Sequence, residues 1–279
     1  MEVFDSSLSL VKCLSNKPRP LGMVPTMGAL HPGHFSLIEK AMEENQTVLI
    51  SIFINPTQFN DQNDFENYPF QIDSDLEKLK KYGNKIFVYV PKAFDIYGDR
   101  VQSKSFDLNG LDVMMEGEKR AGHFQGVATV VSYFLEIFRP NHAYFGEKDF
   151  QQLRIIEHIT QSMGLKTKII GCPIVRESDG LAMSSRNSLL TSEERKLAVK
   201  LFEGLQFAKS HAKKVPYRAL KEMVADWFDN YDDLALDYFQ ITDPKNLKEI
   251  SFDVPITKGR GFIAAHLGKI RLIDNLDMS

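Results

Sequence analysis

Between residue 21 and about residue 172, short apolar runs alternate with segments of helical periodicity, and that alternation leaves the chain little choice of architecture. The runs at 22–25, 47–54, 85–90, 143–145 and 166–171 read as strands, and the stretches 35–44, 73–82, 127–138 and 150–163 between them read as helices. Strands joined through helical crossovers run parallel, so the pattern predicts an α/β domain with a Rossmann-like parallel sheet. In such sheets ligands sit beyond the carboxyl ends of the strands. The loops that follow the strands are therefore the places to look for chemistry.

The pattern changes after about residue 176. Thr191-Ser192-Glu193-Glu194 forms a capping box that opens a helix expected to run to about residue 213, with Leu197, Leu201, Leu205 and Ala208 on one face. A second helix over about 217–230 precedes strand-like segments at 236–242, 261–266 and 269–273. This is the reading of a smaller α+β domain. The boundary is placed in the polar stretch 176–187, which divides the chain into domains 1–176 and 177–279.

Composition excludes several classes of function. A net charge of −3 over 279 residues gives no electrostatic footprint for nucleic acid. No run of about 18 apolar residues is present, so no membrane span is expected. The two cysteines, Cys13 and Cys172, are far apart and form no C-x-x-C, and no secretory leader is legible. The expectation is a cytoplasmic protein whose partners are small molecules.

The first strand leads directly into Pro25-Thr26-Met27-Gly28-Ala29-Leu30-His31-Pro32-Gly33-His34. Here a strand turns into a helix across two glycines and two imidazoles. The first turn of a helix has unpaired N–H groups and the positive end of the macrodipole, which favours an anion by about 0.3–1 kcal/mol. His31 and His34, three residues apart, can face one ligand. A P-loop is excluded because His34 and Phe35 stand where Lys and Ser or Thr are required, and no G-x-G-x-x-G is present. Zinc is disfavoured, since two histidines make only half of a tetrahedral site and no further ligand stands at a familiar spacing. The competing reading is a Gly/Pro turn with two surface histidines.

Four other segments hold candidates. Asn55 and Gln58 stand at the end of the second strand, where amides suit a small polar substrate with hydroxyls and a carboxylate, against the reading of a plain Asn-Pro turn. Lys148, in Gly146-Glu147-Lys148-Asp149, is electrostatically misplaced at a helix start unless a phosphate is bound nearby, or unless Glu147 and Asp149 offset it. Ser184-Ser185-Arg186 offers two hydroxyls and a guanidinium at the domain junction, a set able to bind phosphate oxygens but also common surface composition. Glu116, Arg120 and His123 lie in a segment that reads equally well as a solvated loop before an apolar helix.

Taken together and in order, PTMGALHPGH (25–34), FINPTQF (53–59), EGEKRAGHFQGV (116–127), FGEKDFQQL (145–153) and GLAMSSRN (180–187) resemble the pantothenate synthetase (pantoate–β-alanine ligase) family. That family belongs to the nucleotidyltransferase superfamily, which shares its ATP-binding histidines with class I aminoacyl-tRNA synthetases. The resemblance implies an AMP-forming ligase that joins pantoate to β-alanine through a pantoyl adenylate, using ATP with Mg2+. It implies an ATP- and pantoate-binding first domain, a second domain that closes over the site, and a homodimer.

Carried over by position, the resemblance places His31 and His34 on the triphosphate, with His34 as proton donor to the leaving pyrophosphate. Lys148 would bridge the pantoate carboxylate and the α-phosphate. Ser184, Ser185 and Arg186, with Met183, would bind the triphosphate on closure. Met27, Gly28, Gly146, Glu147, Asp149 and Val175 would complete the ATP site. Gln58 and Gln152 would hold pantoate, with Asn55 beside the phosphates, and no protein ligand to the magnesium is implied. The chain departs from the family's usual pattern at Phe70, where arginine is common, and at Ala121, where proline is usual. A nucleotidyltransferase acting on a phosphorylated acceptor, and an ATP-binding sensor without turnover, are the rival readings.

Overall fold

The computed structural model describes residues 1–279 and divides them into two compact units, Met1–Pro173 and Ile174–Ser279. In chain order the first unit comprises β1 (Glu2–Phe4), α1 (Ser7–Leu14), β2 (Leu21–Thr26), α2 (Pro32–Glu44), β3 (Thr47–Ile52), α3 (Gln62–Glu66), α4 (Ile72–Leu79), β4 (Ile86–Tyr89), α5 (Ala93–Tyr97), α6 (Met115–Lys119), α7 (His123–Phe138), β5 (His142–Gly146), α8 (Phe150–Ser162) and β6 (Lys168–Cys172). Its six strands form one sheet in the order β1-β4-β3-β2-β5-β6. Every pairing is parallel. This is the expected Rossmann-like sheet.

The burial pattern explains why the strands read as continuous apolar runs rather than alternating ones. All six residues of β3 are buried, as are all four of β4, because helices cover both faces of a parallel sheet. On one side Leu37, Ile38 and Ala41 of α2 and Leu79 of α4 pack with Val24, Val48, Ile50 and Val88. The chain goes outward from β2 through β3 to β4, then crosses back to lay β5 on the other flank of β2. The reversal makes the carboxyl edge between β2 and β5 the topological switch point.

The second unit holds α9 (Ser192–Ala198), α10 (Lys200–Ala212), α11 (Tyr217–Phe228), β7 (Leu234–Thr242), β8 (Arg260–Leu267) and β9 (Ile270–Asp277). Its three strands form an antiparallel sheet in sequence order. Leu201, Leu205 and Ala208 of α10 join Leu220, Val224 and Ile263 in its core. No helix of either unit is long and apolar enough to cross a membrane.

Three readings from the sequence need correction. The single helix expected from 191 to about 213 is two, because at Val199 the bonding tightens: Phe202 N donates to Val199 O, three residues back, at 3.0 Å. The helix expected over 73–82 ends at Leu79 and passes into a tighter turn broken at Gly83, whose φ is 65°. The division between units falls before residue 174 rather than after 176. Arg176 belongs with the second unit, where its guanidinium makes a two-pronged pair with Asp274 at 2.6 and 2.9 Å. The elements β1 and α1 lie outside the alternation read from residue 21 onward.

Candidate active site

At the switch point the β2–α2 joint is held from several sides. Thr26 Oγ1 donates to Ser51 O at 2.7 Å and accepts Gly28 N at 3.2 Å. Gly28 takes φ 87° and Ala29 φ 50°, a left-handed pair of residues that tightens the turn. Asp75 of α4 accepts Ala29 N at 2.7 Å and Leu30 N at 2.8 Å. Lys78 Nζ donates to Leu30 O at 3.0 Å.

His31 then caps α2, with Pro32 at the first helical position, where its missing N–H costs nothing. The cap is reciprocal. His31 Nδ1 accepts Gly33 N at 3.2 Å, and His34 Nδ1 accepts His31 N at 3.3 Å. A ring nitrogen that accepts a backbone N–H carries no proton, so the bonding assigns both neutral rings the Nε2–H tautomer. The rings lie 4.0 Å apart, centroid to centroid, tilted by 42°. Burial, then the neighbouring His31, Lys148 and Lys78, push the basicity of His34 down to about 3. His34 is therefore a neutral N–H donor set among cations.

Lys148 reaches the same place from the other flank of the switch. It sits in the tight turn Glu147–Asp149 between β5 and α8, with its Nζ 3.7 Å from Asp149 Oδ1. Asp149 does offset it locally, as one reading proposed. The ammonium nevertheless contributes to the depressed basicity of His34. Gly146 and Glu147 precede it in the strand end and turn, and Met27 and Gly28 lie in the opposite loop.

Asn55 and Gln58 follow β3 on the tight turn Pro56–Gln58. Asn55 is only 2% exposed, and its amide is engaged by the protein. Nδ2 donates to Gly126 O at 3.0 Å, while Oδ1 accepts Thr57 N at 3.3 Å and the hydroxyl of Tyr97. Helix α7 sits directly on this turn, since a Cβ on Gly126 would come within 2.3 Å of Thr57 O. His123 is buried and donates from Nδ1 to Gln58 O at 2.7 Å, while its Nε2 accepts from Arg120 at 3.3 Å. Burial, then the Arg120 charge, lowers its basicity to about 3. The segment 115–126 is thus only partly solvated: Met115, Glu116 and His123 are buried, whereas Glu118, Lys119, Ala121 and Gly122 are exposed.

On α8, Gln151 is buried and tied to the 111–116 segment, donating to Leu111 O and Met114 O and accepting Glu116 N. Gln152, one position on, is half-buried.

In the second unit, Val175 and Met183 face each other across a short hairpin, with Met183 N donating to Val175 O at 3.0 Å. Arg195 fastens the hairpin through Glu177 at 3.0 Å and Asp179 at 2.8 Å. Ser184 then caps the tight turn Ser185–Leu189, its Oγ accepting Arg186 N at 3.3 Å. Val175, Met183, Ser184, Ser185 and Arg186 form one continuous feature of that unit. No group of three or more His, Cys, Asp or Glu side chains is arranged to hold a metal ion.

Comparison with known proteins decides the family. The model of the family described as pantoate-beta-alanine ligase matches residues 3–277. The chain belongs to the pantoate–β-alanine ligase family. The pantothenate synthetase of Christiangramia forsetii is 43% identical over 282 residues, covering 100% of both chains, and that of Flavobacterium psychrophilum is 45% identical over 260 residues, covering 93% of this chain and 92% of the other. The crystal structure of pantothenate synthetase from Thermus thermophilus superposes with a TM-score of 0.91 at 34% identity, covering 100% of this chain and 99% of that one. The pantoate–β-alanine ligase of Francisella tularensis, solved as a complex with β,γ-ATP and β-alanine, matches with a TM-score of 0.82 at 35% identity over 100% of this chain and 98% of that one. The fold and the enzyme class of pantothenate biosynthesis are those of this family.

Reading the sequence alone missed Asp75, Lys78, Thr57 and Tyr97. For Asp75 a signal was present, because it falls on the apolar stripe of its helix between Ile72 and Leu79. Tyr97 carried none.

Proposed function

We infer that this pantoate–β-alanine ligase works in two steps through a pantoyl adenylate. In the first, a carboxylate oxygen of pantoate bonds to the α-phosphorus of ATP as the bond to the β-phosphate breaks and pyrophosphate departs. In the second, the amine of β-alanine attacks the activated acyl carbon, and AMP leaves as the amide forms. The observation that carries this reading is the pair of capped imidazoles, each turned to the Nε2–H tautomer, at a helix N-terminus with Lys148 nearby. The Francisella ligase, complexed with β,γ-ATP and β-alanine, supports ATP and β-alanine as substrates here.

His31 and His34 then donate hydrogen bonds from Nε2 to the triphosphate and, keeping their protons, offset the charge that gathers on the departing pyrophosphate. Lys148 holds the pantoate carboxylate against the α-phosphate and offsets the charge of the five-coordinate phosphorus. Gln58 and Gln152 hold pantoate, and Asn55 fixes the turn that presents Gln58. Met27, Gly28, Gly146, Glu147 and Asp149 complete the nucleotide site of the first unit, and the family resemblance makes Val175, Met183, Ser184, Ser185 and Arg186 the nucleotide ligands of the second. Magnesium carried on the nucleotide would neutralise phosphate charge.

The test is exchange of labelled pyrophosphate into ATP without β-alanine. Exchange that requires pantoate, followed by AMP release when β-alanine is added, is the expected result. Exchange indifferent to pantoate overturns the reading, and so does formation of ADP, which implies an acyl phosphate instead.

A further inference from the structure

Helix α4 carries an acid where its pattern calls for an apolar residue. Asp75 lies on the stripe marked by Ile72, Leu76 and Leu79, and its exposure is 0%. A carboxylate so placed is unfavourable unless donors converge on it. Two do, both from a loop more than forty residues away, and they are the backbone N–H groups of Ala29 and Leu30 at 2.7 and 2.8 Å, one on each oxygen. Lys78, on the next turn of the helix, lies 3.9 Å from the same carboxylate and donates to the Leu30 carbonyl. The helix therefore grips the two residues that directly precede His31.

The grip falls where the backbone most needs it. Ala29 is a non-glycine residue in the left-handed region, and Gly28 before it has φ 87°. A Cβ on Gly28 would lie 3.1 Å from Asp75 Oδ2, so carboxylate and turn are already in close contact. Without the carboxylate, the N–H groups of Ala29 and Leu30 lose the acceptor that spans the turn. The frame that aims the two imidazoles would then shift.

We propose that Asp75 is a positioning residue for the adenylation step, its carboxylate fixing the turn at Gly28 and Ala29 and through it the rings of His31 and His34, with Lys78 as a second fastener. This rests on the adenylate mechanism above. The two imidazoles act on departing pyrophosphate, whereas attack by β-alanine on a finished adenylate does not involve them. A positioning role therefore separates the two steps, and a purely structural role does not.

Asp75→Asn keeps the shape of the side chain but sets an amide NH2 against one of the two N–H donors. The expected result is pantoate-dependent pyrophosphate exchange lowered by about 30-fold or more through kcat, the scale of a roughly 1 Å misplacement, with the KM for pantoate changed by less than about threefold. Aminolysis of preformed pantoyl adenylate by β-alanine is expected to stay within about threefold of the wild type. Lys78→Met alters a partly exposed side chain and is expected to lower exchange by about fivefold with the same sparing of aminolysis.

Normal exchange in Asp75→Asn overturns the proposal, as does an equal loss in both steps. Should Asp75→Asn fail to fold, as judged by circular dichroism, Lys78→Met decides by the same two assays. A wild-type protein that shows no pantoate-dependent exchange at all overturns the adenylate mechanism itself, and this proposal with it.

Discussion

His34 and His123 share a basicity lowered to about 3 and a cationic neighbourhood, yet they hold their protons on opposite nitrogens. At the β2–α2 joint, His34 accepts a backbone N–H at Nδ1 and keeps Nε2–H for whatever lies beyond the helix. Under the turn after β3, His123 gives its Nδ1–H to the Gln58 carbonyl and uses Nε2 to accept from Arg120. One ring leaves its donor outside the protein's own hydrogen bonds. The other has both nitrogens occupied by the protein. Burial and charge alone do not separate a reacting histidine from a supporting one, because both feel the same forces; the hydrogen-bond partners of the two nitrogens do.

The comparison fails if the two rings respond alike. His34→Ala is expected to lower turnover by about 100-fold or more, with Lys148→Ala doing the same, because each removes a group proposed to meet developing charge. Steady-state kinetics of the purified variants check this, and near-normal turnover in either would remove that residue from the reacting set. His123→Phe keeps the ring volume but releases the Gln58 turn. Its expected signature is a rise of about tenfold in the KM for pantoate with a smaller fall in kcat, measured by the same assay.

A smaller effect concerns acid stability. Each of these histidines is neutral in the folded protein until about pH 3, while an unfolded histidine takes up its proton near 6.5. The stability each contributes is complete above pH 6.5 and is lost as pH falls from 6.5 toward 3, by about 1.4 kcal/mol per pH unit for each ring. Urea unfolding of His123→Phe between pH 7 and pH 5 is expected to show an acid loss smaller than that of the wild type by about 2 kcal/mol. Equal losses would mean that the ring is protonated in the native state.

The contrast also explains what the sequence made legible. The His31/His34 joint could be read because its cause is local: a strand, two glycines, a proline at the first helical position and imidazoles three apart. Lys148 could be read because a cation at a helix start contradicts a local rule. His123 could not be separated from a solvated loop, since the contact that decides its state is with Gln58, 65 positions away. Asn55 was recognised as a candidate, but Tyr97 and Gly126, which hold its amide, were not. The same limit hid α1, where Ser7 N donates at 2.7 Å to Asp95, 88 residues on. The break at Val199 was missed for another reason, as the apolar stripe continues unchanged from Leu197 to Leu201 across it.

The reciprocal cap at the start of α2 means that the first turn of that helix and the two imidazoles proposed to act on the triphosphate are made of the same atoms. Losing either imidazole frays a helix end as well as removing a donor, so activity and melting temperature should fall together along any series of substitutions at His31 and His34. A chain drifting under mutation cannot trade one property against the other at these two positions, and the scaffold stands guard over the chemistry.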